Sequence, residues 1–383
     1  MASSRHYDGA EDQVLVEEKS FARILTLNRP RQLNAASFQM IEKLLNLFIA
    51  YEDDPNVKLL IMKGKGRAFC AGGDVAAVAH VCAEGQWRLG TEFFRKEYNL
   101  NYMISAYKKP QVSFLNGIVM GGGAGLSIHG RFRVATENSV FAMPETALGL
   151  FPDVGATYFL SRLPGFFGEY CGLTGARLDG AEMLTCGLAT HFVSSERLPL
   201  LEEALTKVDV VDPAAVSAII DQFLAQVSLK EKSACHRMDV IDKCFSKRTV
   251  EEILSALKQE AINGSDEWLA ATIDSMRKAS PMSLKISLRA IREGRLQSLD
   301  WCLIREYRML CHILRRAKSD FFEGCRAILV DKDRNPKWEP ANLEAISEDM
   351  VNKFFLKVDD EDWTDLKLPL KHYSATSTSV SKL

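Results

Sequence analysis

Twice in this chain an apolar, strand-like stretch runs into a glycine cluster that opens onto a helix-like stretch, and this repetition constrains the fold more than any other feature. Val57 to Met62 leads into Lys63-Gly64-Lys65-Gly66-Arg67-Ala68-Phe69-Cys70-Ala71-Gly72-Gly73-Asp74, and Val112 to Val119 leads into Met120-Gly121-Gly122-Gly123-Ala124-Gly125-Leu126. Glycine lets backbone amides approach a ligand closely, and a strand-to-helix turn aims those amides outward at the positive end of the helix dipole. The alternation of strand, glycine turn and helix predicts an α/β core. Neither cluster has the G-x-G-x-x-G or P-loop spacing, so nucleotide fingerprints are excluded.

The elements around the clusters follow from periodicity. Val14 to Val16 and Arg23 to Leu27 read as two short strands joined by a charged turn. From Ser37, the apolar residues Met40, Ile41, Leu44, Leu45 and Phe48 form a helical stripe that ends near Asp54-Pro55. A long helix is expected over 87 to 107, strands over 111 to 115 and 131 to 135, and a helix from the second glycine cluster to about residue 129. Beyond about residue 197 strands give way to helical stripes. Ser280-Pro281 has the N-cap and N1 pattern, and Asp320 and Glu323 have the spacing of a capping box.

At 383 residues the chain exceeds one usual core, so a large domain of about 200 residues and a smaller one are expected. The expected division is a flexible 1–13, an active-site core over 14–205, a helical C-terminal domain over 206–356, and a flexible tail over 357–383. The net charge of −2 gives no global basic field for nucleic acid or an anionic membrane. No unbroken apolar window is long enough for a membrane span, since 111–130 is interrupted by Asn116, His129 and glycines. The nine cysteines never fall as C-x-x-C, so no zinc or redox pattern is present and a reducing compartment is expected. The beginning lacks the apolar stretch of a secretory signal and is too acidic for a transit peptide. The closing Ser381-Lys382-Leu383 has the form read by the peroxisomal import receptor, on a Ser/Thr-rich tail.

Two facing glycine loops would supply one amide each to an oxyanion hole, where losing one donor costs about 3 kcal/mol of transition-state stabilisation. The alternative is a pair of tight turns. Glu145 and Asp153 sit in Met-Pro-Glu and Phe-Pro-Asp segments among Phe141, Leu148, Leu150 and Phe151. Apolar surroundings raise a carboxyl pKa, which suits a general acid or base, while the plainer reading is loop capping. No G-x-S-x-G elbow is present. Cys70 lacks an evident histidine partner and reads as a packed residue rather than a thiol nucleophile. His129 and His191 read as structural. Lys63, Lys65 and Arg67 either meet the phosphates of a large anionic ligand or form a solvated basic turn.

Three segments in order resemble the crotonase (enoyl-CoA hydratase/isomerase) superfamily of acyl-CoA enzymes. They are Phe69 to Asp74, Asn116 to Gly125, and Ala142 to Thr146 continuing through Gly149 to Gly155; a further match spans Ser319 to Trp338. The resemblance covers about residues 14 to 356 and is greatest to the 3-hydroxyisobutyryl-CoA hydrolase branch of the plant peroxisomal type. It implies a ββα spiral core followed by a helical C-terminal domain. It also implies an oxyanion hole at Gly73 and Gly122 and substrate contacts at Glu97, Gly122, Glu145 and Asp153.

Where a hydratase of this family carries its first catalytic glutamate, this chain has Gly125; where the hydratase has glycine, it has Asp153. The resemblance therefore implies thioester hydrolysis in valine breakdown, with no cofactor beyond the CoA of the substrate and no metal. Glu145 and Asp153 are the expected catalytic pair. A hydratase or isomerase, or a non-catalytic acyl-CoA-binding relative, is the alternative. The assembly state stays open, and Ala156, where relatives often have glycine, is expected to bear on pocket width.

Overall fold

The computed structural model describes residues 12–207, 209, 212–263, 266–316 and 318–369. Strands β1 (Val14–Lys19) and β2 (Ala22–Leu27) form an antiparallel hairpin, and helix α1 (Phe38–Asp53) follows, capped by the Ser37 side chain, which accepts the Met40 N–H. The chain then repeats one pattern: a strand, a short second strand, and helix. In the first repeat β3 (Leu59–Gly64) and β4 (Ala68–Cys70) lead to α2 (Val75–Ala83) and α3 (Trp87–Ser105). The second has β5 (Gln111–Leu115), β6 (Ile118–Met120) and α4 (Gly122–Gly125), and the third has β7 (Phe132–Ala135) and β8 (Val140–Ala142) before α5 (Ala156–Phe159).

The first strand of each repeat joins a six-stranded sheet of order β1-β2-β3-β5-β7-β10, closed by β10 (His191–Phe192). The second strand joins a four-stranded sheet, β4-β6-β8-β9, with β9 being Leu178–Asp179. From β2 to β10 the large sheet is parallel, and β2 and β5 are buried along their whole length, as strands covered on both faces must be. This is the ββα spiral that the family resemblance implies.

Several details differ from that expectation. The apolar run 112–119 is two strands in different sheets, and a strand, β4, lies inside the first glycine loop. The helix after the second glycine cluster ends at Gly125 rather than near 129, and turns follow it. Asp320 is not an N-cap: its carboxylate instead accepts the Ser280 hydroxyl at 2.5 Å and the Glu339 N–H at 2.9 Å. The Ser280 N-cap itself is as expected, accepting the Ser283 N–H.

After β10, helices dominate the described residues, and they fold back against the spiral. Ser280 N–H donates to Thr146 O at 3.0 Å, and the helix Leu299–Leu314 packs on α3. The described part of the expected flexible tail is also tied down. Asp360 pairs with Arg88 at 2.7 Å, Trp363 stacks on Tyr307, and Thr364 and Asp365 accept from Arg95. Residues 357–369 therefore form a strap over α3, the helix that carries Glu97. No helix among the described residues is long and apolar enough to cross a membrane.

Candidate active site

One wall of a cavity of about 260 Å³ is backbone. The loop between β4 and α2 brings Gly72 and Gly73 to it, and the turn between β6 and α4 brings Gly121 and Gly122. Gly121 adopts φ +47° and ψ −121°, a conformation that side chains resist, and this turns the following amide toward the cavity. A β-carbon at Gly122 would stand 3.0 Å from the Gly73 nitrogen and 2.6 Å from Glu97 Oε1. The two loops therefore do face one another. Among the described residues neither the Gly73 nor the Gly122 N–H has an acceptor, which leaves both free for a ligand oxygen.

Three carboxylates line the same cavity beside these loops. Glu97 projects from α3, Glu145 begins a single 3-10 turn (Glu145–Leu148) after Pro144, and Asp153 follows Pro152. All three are buried, at 1%, 5% and 4% exposure, and all line the cavity. Tyr98, on the same helix as Glu97, donates its hydroxyl to Asp153 Oδ2 at 2.7 Å. Glu97 Oε1 and Glu145 Oε2 have no partner at all. A buried oxygen without a donor costs free energy, so two of them aimed into one cavity mark places for a ligand hydroxyl or water.

Burial dominates the electrostatics. It pushes Glu97 and Glu145 well above the usual carboxylate range, and the charge of Asp153 pushes both further. Asp153 is raised to about 6 by burial, with the Tyr98 hydrogen bond holding it down. Asp153 therefore ionises first, and the two glutamates hold their protons to higher pH.

The turn after Asp153 is strained. Val154, a β-branched residue, sits at φ +55° and Gly155 follows at +79°; a valine there costs on the order of 1–3 kcal/mol. The Val154 carbonyl accepts from His129 Nε2 at 2.7 Å, and burial pushes His129 down to about 4, so the ring is neutral and donates. His129 is thus structural, as expected, but in the service of the site. Val154 also explains Gly125: a β-carbon there would come within 2.6 Å of Val154 Cβ and 2.9 Å of Asn101 Nδ2. No glutamate fits at position 125 beside this turn.

The cavity thus gathers Gly73, Gly122, Glu97, Glu145 and Asp153, all singled out in the sequence. Lys63, Lys65 and Arg67 do not line it. Lys63 is committed to Glu202 at 2.6 Å, while Lys65 and Arg67 are exposed on the loop between β3 and β4. Cys70 is fully buried, with its thiol pushed up to about 12, which makes it inert. Ala156 is buried in the first turn of α5 and is not among the residues that line the cavity. Ser381, Lys382 and Leu383 lie outside the described residues.

Tyr98 and Leu329 were missed. Leu329 reaches the cavity from the π-helical turn Arg326–Val330 in the C-terminal half. Nothing local marks it. Tyr98 reads as one more apolar position of α3, and the only available signal is its place beside Glu97, a carboxylate on the buried face between Phe93, Phe94 and Asn101.

The sequence profile described as enoyl-CoA hydratase/isomerase matches residues 22–355. The chain is 66% identical over 375 residues to 3-hydroxyisobutyryl-CoA hydrolase 1 of Arabidopsis thaliana, covering 98% of each protein. It is 60% identical over 376 residues to the probable 3-hydroxyisobutyryl-CoA hydrolase 2 of the same plant, covering 98% of this chain and 100% of that one. Among solved structures, a carnitinyl-CoA dehydratase from Mycobacterium thermoresistibile aligns with a TM-score of 0.84 at 35% identity, over 93% of this chain and 98% of that chain.

Proposed function

The chain belongs to the enoyl-CoA hydratase/isomerase family, the crotonase superfamily, and we propose that within it the protein is a 3-hydroxyisobutyryl-CoA hydrolase, a thioesterase releasing the free acid and CoA in valine breakdown. The observation that carries this reading is the pairing of three buried carboxylates with two free, neighbouring amides in one cavity, together with a turn at Val154 that leaves no room for a glutamate at 125. A hydratase needs that glutamate to clamp water for addition across a double bond.

The thioester oxygen is received by the Gly73 and Gly122 amides, which stabilise the negative charge that develops on it. Ionised Glu145 then acts by one of two routes. It attacks the carbonyl carbon, the C–S bond breaks, CoA leaves as the thiol after taking a proton, and water hydrolyses the resulting anhydride. Alternatively it takes a proton from a water whose oxygen attacks the carbonyl directly. Both routes consume one water and return the carboxylate. Asp153 and Glu97 orient the substrate 3-hydroxyl and the water. Glu145 must be ionised to act and Asp153 to accept the 3-hydroxyl, and burial raises both, so activity rises with pH through both ionisations, above the ordinary carboxylate range.

Trapping released CoA with a thiol reagent across a panel of short acyl-CoAs tests this reading, with loss of crotonyl-CoA absorbance as the control. Thiol release from 3-hydroxyisobutyryl-CoA without crotonyl-CoA hydration is expected. Hydration would identify a hydratase, and neither reaction would identify a binding protein. Oxygen-18 entering the Glu145 carboxylate in a single turnover separates the anhydride route from direct water attack. The Ser381-Lys382-Leu383 terminus supports import into peroxisomes by the receptor for such tripeptides. A fluorescent fusion ending in it, compared with one lacking it, reads that address.

A further inference from the structure

One completely buried carboxylate lies behind the cavity and does not line it. Glu306, on the helix Leu299–Leu314, accepts the Gly155 N–H at 2.7 Å through Oε2, and the Thr157 N–H at 3.0 Å and hydroxyl at 2.5 Å through Oε1. All of its donors come from the turn that begins at Asp153. Its neighbour Arg305 makes no bond to it. That guanidinium donates to Thr157 Oγ1 at 3.0 Å, Ala290 O at 2.7 Å and Gln297 Oε1 at 2.6 Å, which fixes the far side of the same turn.

Positive φ at Val154, a β-branched residue, means that local preference does not hold this turn. His129 holds the Val154 carbonyl from one side and Glu306 the amides from the other. A charge is an expensive way to cap two amides in a dry interior, the more so within the field of another carboxylate.

We infer that Glu306 is a positioning residue: it holds the Asp153–Thr157 turn from behind so that Asp153 faces the cavity. The inference rests on the hydrolase reading above for its catalytic consequence. Asp153 is faced by Tyr98 and Glu97 from α3, by Glu145, and by Glu306; Glu306 is faced by Asp153, Tyr98, Cys302 and Arg305. Burial raises Glu306 to about 7, the Thr157 and Gly155 donors oppose this, and the charge of Asp153 adds to it. Asp153, at about 6, ionises first, and its charge discourages Glu306 from ionising.

The test uses the full chain with Glu306→Gln and, should that variant fold poorly, Thr157→Val, which keeps Glu306 and removes one donor. For Glu306→Gln, kcat is expected to fall roughly 10- to 100-fold with KM within about twofold. Thr157→Val should lower kcat in the same way by a few-fold. An infrared titration of the unliganded protein, with the Glu306 carboxyl band assigned by its loss in Glu306→Gln, gives a readout independent of any substrate. That band should titrate at lower pH in Asp153→Asn, because the charge that faces Glu306 across the turn is gone. An unmoved band, or an unchanged kcat in Glu306→Gln with only a lower melting temperature, would overturn the inference. Failure of the wild-type protein to release CoA from any thioester, with the band still shifted, would instead overturn the hydrolase reading alone.

Discussion

One wall of the cavity is backbone and the other is side chain, and the two are held by different parts of the chain. The glycine wall is made by two loops of the spiral, each ordered by the strand before it and the helix after it. The carboxylate wall is assembled over long distances: Tyr98 reaches Asp153 across 55 residues, and Glu306 reaches Gly155 across 151. The glycine wall offers unsatisfied donors and the carboxylate wall offers unsatisfied acceptors, so a thioester carbonyl and a 3-hydroxyl or water each have a surface to meet. The lesson is that the spiral supplies a general means of stabilising an oxyanion, while the C-terminal helices tune what is done beside it.

The contrast can be broken from either side. On the glycine wall, Gly122→Ala puts a methyl group against Gly73 N and Glu97 Oε1. We expect kcat/KM to fall by about 10²- to 10³-fold, the loss typical of one oxyanion donor; steady-state kinetics check it, and a loss below tenfold would mean that the amides are not used together.

On the carboxylate wall, the burial of Asp153 ties stability to pH. A carboxyl whose pKa is raised on folding contributes stability that is fully present below its unfolded pKa and is lost as pH rises through the folded value, about 6 for Asp153. Asp153→Asn removes that loss. In chemical denaturation it should therefore exceed the wild type at pH 8 by on the order of 3 kcal/mol, with the difference vanishing near pH 4. A constant difference across this range would show that Asp153 is not strained by burial.

The smallest effect is expected from Tyr98→Phe. Removing the hydroxyl raises Asp153 beyond its present position, since that hydrogen bond holds it down. The acid limb of kcat/KM should move to higher pH, and the rate at neutral pH should fall by about tenfold. An unmoved limb would separate Asp153 from the titration that governs activity.

The same contrast explains what could be read from the sequence. The glycine loops were legible because their function is local: the residues that bend the backbone also present it. The prolines before Glu145 and Asp153 likewise marked short, fixed segments. Glu306 was not read, although it had a signal. It falls on the apolar stripe of Leu299, Cys302, Leu303 and Leu310, where a carboxylate is out of place unless donors reach it from elsewhere. Those donors are 149 to 151 residues away, beyond the reach of any periodicity.

The most direct test of the central claim is the rate of CoA release from 3-hydroxyisobutyryl-CoA by Glu145→Gln, measured with a thiol reagent at saturating substrate. Glutamine keeps the shape of the side chain and loses its ability to attack the thioester or take a proton from water. A fall of about 10²- to 10⁴-fold is predicted, with substrate still bound. Release of CoA at close to the wild-type rate would contradict the account.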